Sequence, residues 1–129
     1  MRKSSILALI LVALTATFAL ANFPDKVKID EAQSKQPAVN FDHAKHAEKL
    51  AKDCGVCHHT QKDLTKDAAV AGKVQVKKCA DCHLNPAKAE IPSAKEMSMT
   101  KNPYHIRCIG CHKEEKKGPT VCNQCHVKS

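Results

Sequence analysis

The chain has 129 residues and a formal net charge of +8, with eight Cys and eight His but only three Phe, one Tyr and no Trp. Aromatic side chains normally supply the largest pieces of a small core, so something other than side chains is expected to fill this interior. The length and the shortage of apolar runs argue against a doubly wound sheet or a barrel.

The chain opens with Arg2 and Lys3, continues through an uninterrupted apolar run from Ile6 to Leu14, and reaches Ala19-Leu20-Ala21. A basic start, an apolar stretch and a small-x-small site read as a secretory signal peptide over residues 1–21, cut between Ala21 and Asn22. The alternative, an uncleaved anchor, is weakened by an apolar stretch, Ile6–Ala21, that is short for a membrane span. No Cys near the cut points to lipid attachment. The expected mature protein is a single domain, residues 22–129, working outside the cytoplasm without stable membrane insertion. Its charge falls to +6, because Arg2 and Lys3 leave with the signal. Export and the missing aromatic platforms argue against nucleic acid as a partner and leave acidic protein surfaces.

Further along, Val27-Lys28-Ile29 and Val39-Asn40-Phe41 are short extended segments that can pair as a hairpin. Asp42 is placed to cap a helix running to about Lys52 and carrying His43 and His46. A Lys-rich stretch follows, with helix expected around 62–70. Pro86 and Pro92 break the next segment, and Ser93 with Glu96 reads as a capping box that opens another helix, packing Met97 and Met99 in or near it. Pro103 interrupts that helix, and Glu114 to Pro119 forms a charged turn.

The cysteines carry a stricter pattern than a disulfide scaffold needs. They read Cys54-Gly-Val-Cys57-His58, Cys79-Ala-Asp-Cys82-His83, Cys108-Ile-Gly-Cys111-His112 and Cys122-Asn-Gln-Cys125-His126. Every Cys belongs to a Cys-x-x-Cys pair, and His follows every pair. Given this His content, four such coincidences have odds on the order of one in 10⁵. Cys-x-x-Cys-His is the attachment pattern of c-type haem. Two thiols must reach two vinyl groups on one porphyrin edge, and positions i and i+3 share a face of a helical turn, with i+4 beside them to reach the iron. Zinc ribbons need no His after each pair. Disulfide scaffolds have no use for the adjacent His residues, and thioredoxin-like chemistry needs one motif rather than four.

Four covalently bound haems would offer eight axial positions, and the chain has eight histidines. His58, His83, His112 and His126 belong to the motifs, which leaves His43, His46, His59 and His105 for the opposite faces. Met97 and Met99 are the competing soft ligands. His43 and His46 lie three apart, on one helical face, so they are expected to serve two different haems. Six-coordinate, bis-His iron has no open site for a substrate, and two imidazoles avoid the potential-raising effect of Met. This points to a low-potential electron carrier rather than an enzyme. A domain of this size has a radius of gyration of roughly 13 Å, so four macrocycles must lie close together and form the core themselves.

At these residues the sequence resembles the class III multihaem cytochromes c, the tetrahaem cytochrome c3 family. The resemblance spans about residues 26–128. It is carried by Phe41-Asp42-His43-Ala44-Lys45-His46, by the double His58-His59, and by Cys108 to His112 followed by Gly118-Pro119 and Cys122 to His126. It implies a mainly α and irregular fold, short helices and loops wrapped around four haems, with a small N-terminal two-stranded hairpin. It also implies the axial pairs His43 with His58, His59 with His83, His46 with His112 and His105 with His126. All four Cys-to-Cys gaps here are two residues, whereas many tetrahaem relatives use four in the second and fourth motifs. By resemblance the protein is a monomeric periplasmic carrier in anaerobic, sulfate-reducing-type respiration. Its expected partners are periplasmic hydrogenase and membrane-associated cytochrome complexes. The alternative is a terminal metal-ion reductase acting by outer-sphere electron transfer. Residues 101–129 carry Lys101, Arg107, Lys113, Lys116, Lys117 and Lys128 against Glu114 and Glu115, a basic segment suited to docking.

Overall fold

The computed structural model describes residues 23–32 and 35–128. The expected signal peptide and its cleavage point lie outside the described residues. Two short strands open the described chain, β1 (Lys26–Ile29) and β2 (Val39–Asp42). They pair antiparallel, with Val27 opposite Phe41 and Ile29 opposite Val39. Exposure alternates along both strands, so these four apolar side chains share the more covered face.

Strand β2 passes directly into helix α1 (His43–Lys49). The Asp42 carboxylate accepts the Lys45 N–H at 3.0 Å, the expected cap. The Ala44 N–H donates to the Asp25 carbonyl at 3.0 Å and docks the helix start on the hairpin. The helix does not reach Lys52. Its cap is Leu50, and Ala51 and Lys52 take positive φ of 50° and 65°, a conformation that ends a helix. The turn delivers Asp53, whose side chain accepts the Gly55 N–H and caps a 3-10 turn over Cys54–Val56.

Helix α2 (Lys66–Val70) is shorter than the expected 62–70, because Thr65 caps it by accepting the Ala68 N–H. Helix α3 (Cys79–His83) holds the second motif. A π-turn over His105–Ile109 runs into α4 (Gly110–Glu114) and carries the third. Helix α5 (Cys122–Cys125) carries the fourth. Each motif is thus one or two turns of helix.

No helix forms at Ser93. The Ser93 hydroxyl accepts the Lys95 N–H in a local turn. The Asn102 amide then captures the Ala94 and Glu96 carbonyls at 2.9 and 2.7 Å, and a continuing helix would need those carbonyls for its own ladder. Met97 and Met99 are accordingly not packed in a helix; they are 63% and 43% exposed.

The polypeptide has almost no interior of its own. Among the described residues only Leu64, Ala69, Ala94 and Asn102 are buried, and no side chain is below 2% exposure. The helices hardly touch one another; sustained packing is confined to the hairpin, to α1 against β1, and to the π-turn with α4. Two exposed ion pairs, Lys28–Asp30 at 3.3 Å and Lys78–Glu31 at 3.7 Å, add little. This is a wrapper without a core. None of the helices among the described residues is long and apolar enough to cross a membrane.

Candidate functional site

The first and fourth motifs present their His by the same backbone bond. The His58 N–H donates to the Cys54 carbonyl at 2.8 Å, and the His126 N–H donates to Cys122 at 2.8 Å. Each of these bonds sets the His one turn above the first Cys of its pair. None of the eight cysteines is paired in a disulfide. Cysteines of different motifs lie within electrostatic reach of one another. Burial pushes the Cys108 thiol up to about 11, with Cys57 and Cys79 adding to it. Burial also raises Cys57, against the pull of Arg107.

The eight histidine rings stand in four facing pairs. The ring centroids of His43 and His58 are 6.5 Å apart, those of His46 and His112 6.1 Å, those of His59 and His83 6.0 Å, and those of His105 and His126 6.4 Å. The partners come from distant parts of the chain, except that each pair takes one His from a motif and one from outside it. The structure brings together the four combinations that the resemblance implied. Met97 and Met99 enter none of them.

Seven of the eight rings are oriented by a backbone carbonyl. Nδ1 of His43 meets the Pro24 carbonyl at 2.8 Å, that of His46 Asp42 at 2.8 Å and that of His58 Lys77 at 3.1 Å. His83 meets Pro92 at 2.8 Å, His105 meets Ser98 at 3.3 Å, His112 meets Pro119 at 2.7 Å and His126 meets Pro37 at 2.6 Å. A carbonyl can only accept, so in each ring Nδ1 carries the proton and Nε2 keeps its lone pair. Burial lowers the His58 pKa, with the Lys77 carbonyl opposing, which also favours the neutral ligand form.

Four of these seven acceptors are proline carbonyls. Proline cannot continue a helix or ladder, so its segment leaves a carbonyl free for a side chain. Sequence reasoning read Pro92 only as a breaker and gave Pro24 and Pro37 no such role. It also missed two positioning side chains. Gln61 donates to the Gln75 carbonyl at 2.8 Å and accepts the Lys77 N–H at 2.9 Å, setting the carbonyl that holds His58. Asn102, besides its two donated bonds, accepts the N–H groups of Tyr104 and His105 at 2.9 and 3.4 Å. The available signals were positional: Gln61 stands three residues after His58, and Asn102 precedes Pro103 and stands three residues before His105.

The arrangement fits haem on three counts. Two imidazoles bound through Nε2 to one metal at about 2.0 Å have centroids about 6.2 Å apart, which matches all four pairs. The Nδ1-to-carbonyl bonds are the outer-shell partners that metal-bound His normally has. Among the described residues, no three His, Cys, Asp or Glu side chains converge as a cation cage would require, whereas an axial haem site needs only two protein donors.

The chain is similar to known proteins. The chain is 38% identical over 102 residues to cytochrome c3 of Maridesulfovibrio salexigens, covering 75% of this chain and 85% of that protein. It is 33% identical over 98 residues to cytochrome c3 of Desulfovibrio desulfuricans, covering 76% and 86%. The solution structure of the triheme cytochrome PpcA from Geobacter sulfurreducens superposes with a TM-score of 0.44 at 26% identity, over 81% of this chain and 100% of that one. The model of the Class III cytochrome C family matches residues 20–126. With its haem-attachment motifs, its facing histidines and this match over most of its length, the chain belongs to the class III cytochrome c family, multihaem proteins of electron transfer.

Proposed function

We propose that the protein is a periplasmic, low-potential tetrahaem electron carrier. The observation that carries this reading is the set of four facing His pairs at 6.0–6.5 Å, each beside its own Cys-x-x-Cys. Cys54 and Cys57, Cys79 and Cys82, Cys108 and Cys111, and Cys122 and Cys125 hold the four haems as thioethers. The axial pairs are His43 and His58, His59 and His83, His46 and His112, and His105 and His126. Bound haem supplies a one-electron couple at each site. The chain's own residues fill both axial positions and keep the imidazoles neutral and aimed. With a His in both protein-donated positions of each haem at rest, the sites would exchange electrons rather than turn over a bound substrate.

Export by residues 1–21 would place the carrier in the periplasm, between a hydrogenase and membrane-associated cytochrome complexes. The exposed Lys113, Lys116 and Lys117 follow the third motif and offer a docking face for an acidic partner.

The test is intact mass with electron paramagnetic resonance. The mature holoprotein should weigh as residues 22–129 plus four haems, titrate no free thiol, and show four low-spin ferric haems. Three haems, or a high-spin signal in the native protein, would overturn the reading.

A further inference from the structure

His59 differs from the other seven histidines in two independent ways. Its Nδ1 has no hydrogen-bond partner among the described residues, whereas every other ring donates to a backbone carbonyl. It is also exposed, whereas the other seven are half-buried. The two histidines of α1 are held further by aromatic contacts. Phe23 lies 4.7 Å from the His43 ring and Phe41 4.5 Å from the His46 ring; among the described residues His59 has no aromatic contact other than its partner His83.

An outer-shell partner on a metal-bound His is worth about 10–100-fold in metal affinity, because it fixes the ring and raises its basicity. Without one, the His59 ring is free to rotate about its own side chain, and water receives it when it leaves. Its neighbour cannot follow, since Lys77 holds His58 at the first pair. The opposite side of the second site stays assembled, because Pro92 holds His83 at 2.8 Å and the Ala94 N–H donates to the His83 carbonyl at 2.7 Å.

We propose, resting on the tetrahaem reading above, that the position held by His59 is the exchangeable coordination site of this protein. It takes a small anionic or diatomic σ-donor while the other three sites keep both imidazoles. With hydrogen cyanide as the probe and the haems oxidised, His59 leaves the iron and takes the proton of hydrogen cyanide. The cyanide carbon takes the vacated position, and the iron keeps its oxidation state.

The experiment is a cyanide titration of the oxidised holoprotein, after mass and spin state have established four low-spin haems. Failure of that first step would overturn the tetrahaem reading rather than this proposal. The expected result is one equivalent bound at a concentration about tenfold or more below that needed for the rest. In His59→Ala the tight phase should remain one equivalent and move to still lower cyanide. In His43→Ala, His46→Ala and His105→Ala it should rise to two, one from the new vacancy and one from His59. Four haems titrating together would overturn the proposal. So would a tight phase that stays at one equivalent in any of those three variants, since the labile ligand would then be the residue replaced. Where a variant does not retain haem, the wild type decides. With ring-labelled histidine, the His59 resonance alone should leave its iron-shifted position in the first phase, and movement of another histidine instead would overturn the assignment.

Discussion

His43 and His46 are three residues apart on α1 yet face different partners: His43 stands 6.5 Å from His58 of the first motif and His46 6.1 Å from His112 of the third. One short helix therefore joins two sites whose motifs lie 54 residues apart between His58 and His112. Its Asp42 cap serves both ends of that job, since the carboxylate closes the helix and the carbonyl holds His46.

The first prediction follows. His43→Ala and His46→Ala should each convert one of four haems to a high-spin or water-ligated form, and the double variant should convert two. Spin quantification by electron paramagnetic resonance checks this. A double variant with one altered haem would show that the two histidines share a site.

A second prediction concerns Gly118. It sits at φ +89°, and a Cβ there would stand 2.7 Å from His112 Cδ2 and 2.8 Å from Cγ and Nε2. The ring is held on its other side by the Pro119 carbonyl and cannot retreat without losing that bond. Gly118→Ala should lower the unfolding free energy of the holoprotein by about 1–3 kcal/mol and disturb the His112 haem selectively. Gly110→Ala is the control. Its added Cβ meets nothing within 4 Å, and in helix α4 it should be neutral or stabilising by about 0.5–1 kcal/mol.

The third prediction takes Asn102, the buried polar hub of the segment between the second and third motifs. Asn102→Ala removes four hydrogen bonds and strands two carbonyls, at about 2–4 kcal/mol. Because Asn102 accepts the His105 N–H and donates to the Glu96 carbonyl, the spectroscopic change should fall on the His105–His126 haem. Chemical denaturation gives the first quantity and haem-resolved magnetic resonance the second.

Haem itself should be the condition for folding. Among the described residues three apolar side chains are buried, two of them Ala, and these cannot offset the conformational entropy of ordering the chain. Protein produced without haem attachment should show no cooperative thermal transition by circular dichroism, whereas the holoprotein should show one.

The last prediction tests docking. Lys113, Lys116 and Lys117 are all exposed, and Lys116 takes φ 53° in the turn that closes α4. Replacing all three by Glu should slow electron exchange with an acidic redox partner by roughly tenfold at low salt. The gap should narrow as ionic strength rises. Stopped-flow rates across a salt series would show it, and unchanged rates would move the docking face elsewhere.

What the sequence determined by itself is local. Cys-x-x-Cys-His is a contact between positions one turn apart, and the hairpin alternation and the Asp42 cap need only a few neighbouring residues. The element ends were less legible where distant groups intervened. The helix expected at Ser93 is lost because Asn102, beyond the next turn, takes its carbonyls, and nothing in the local pattern announces that competition. The histidine pairing lies further still from local reading. Eight histidines permit many matchings, and spacing along the chain says only that His43 and His46 belong to different ones. Tertiary structure decided which rings face each other, and which carbonyls aim them. A carbonyl belongs to every residue and is invisible as a motif; only the folded path brings Pro37 within 2.6 Å of His126, 89 positions away, and leaves His59 without such a partner among the described residues.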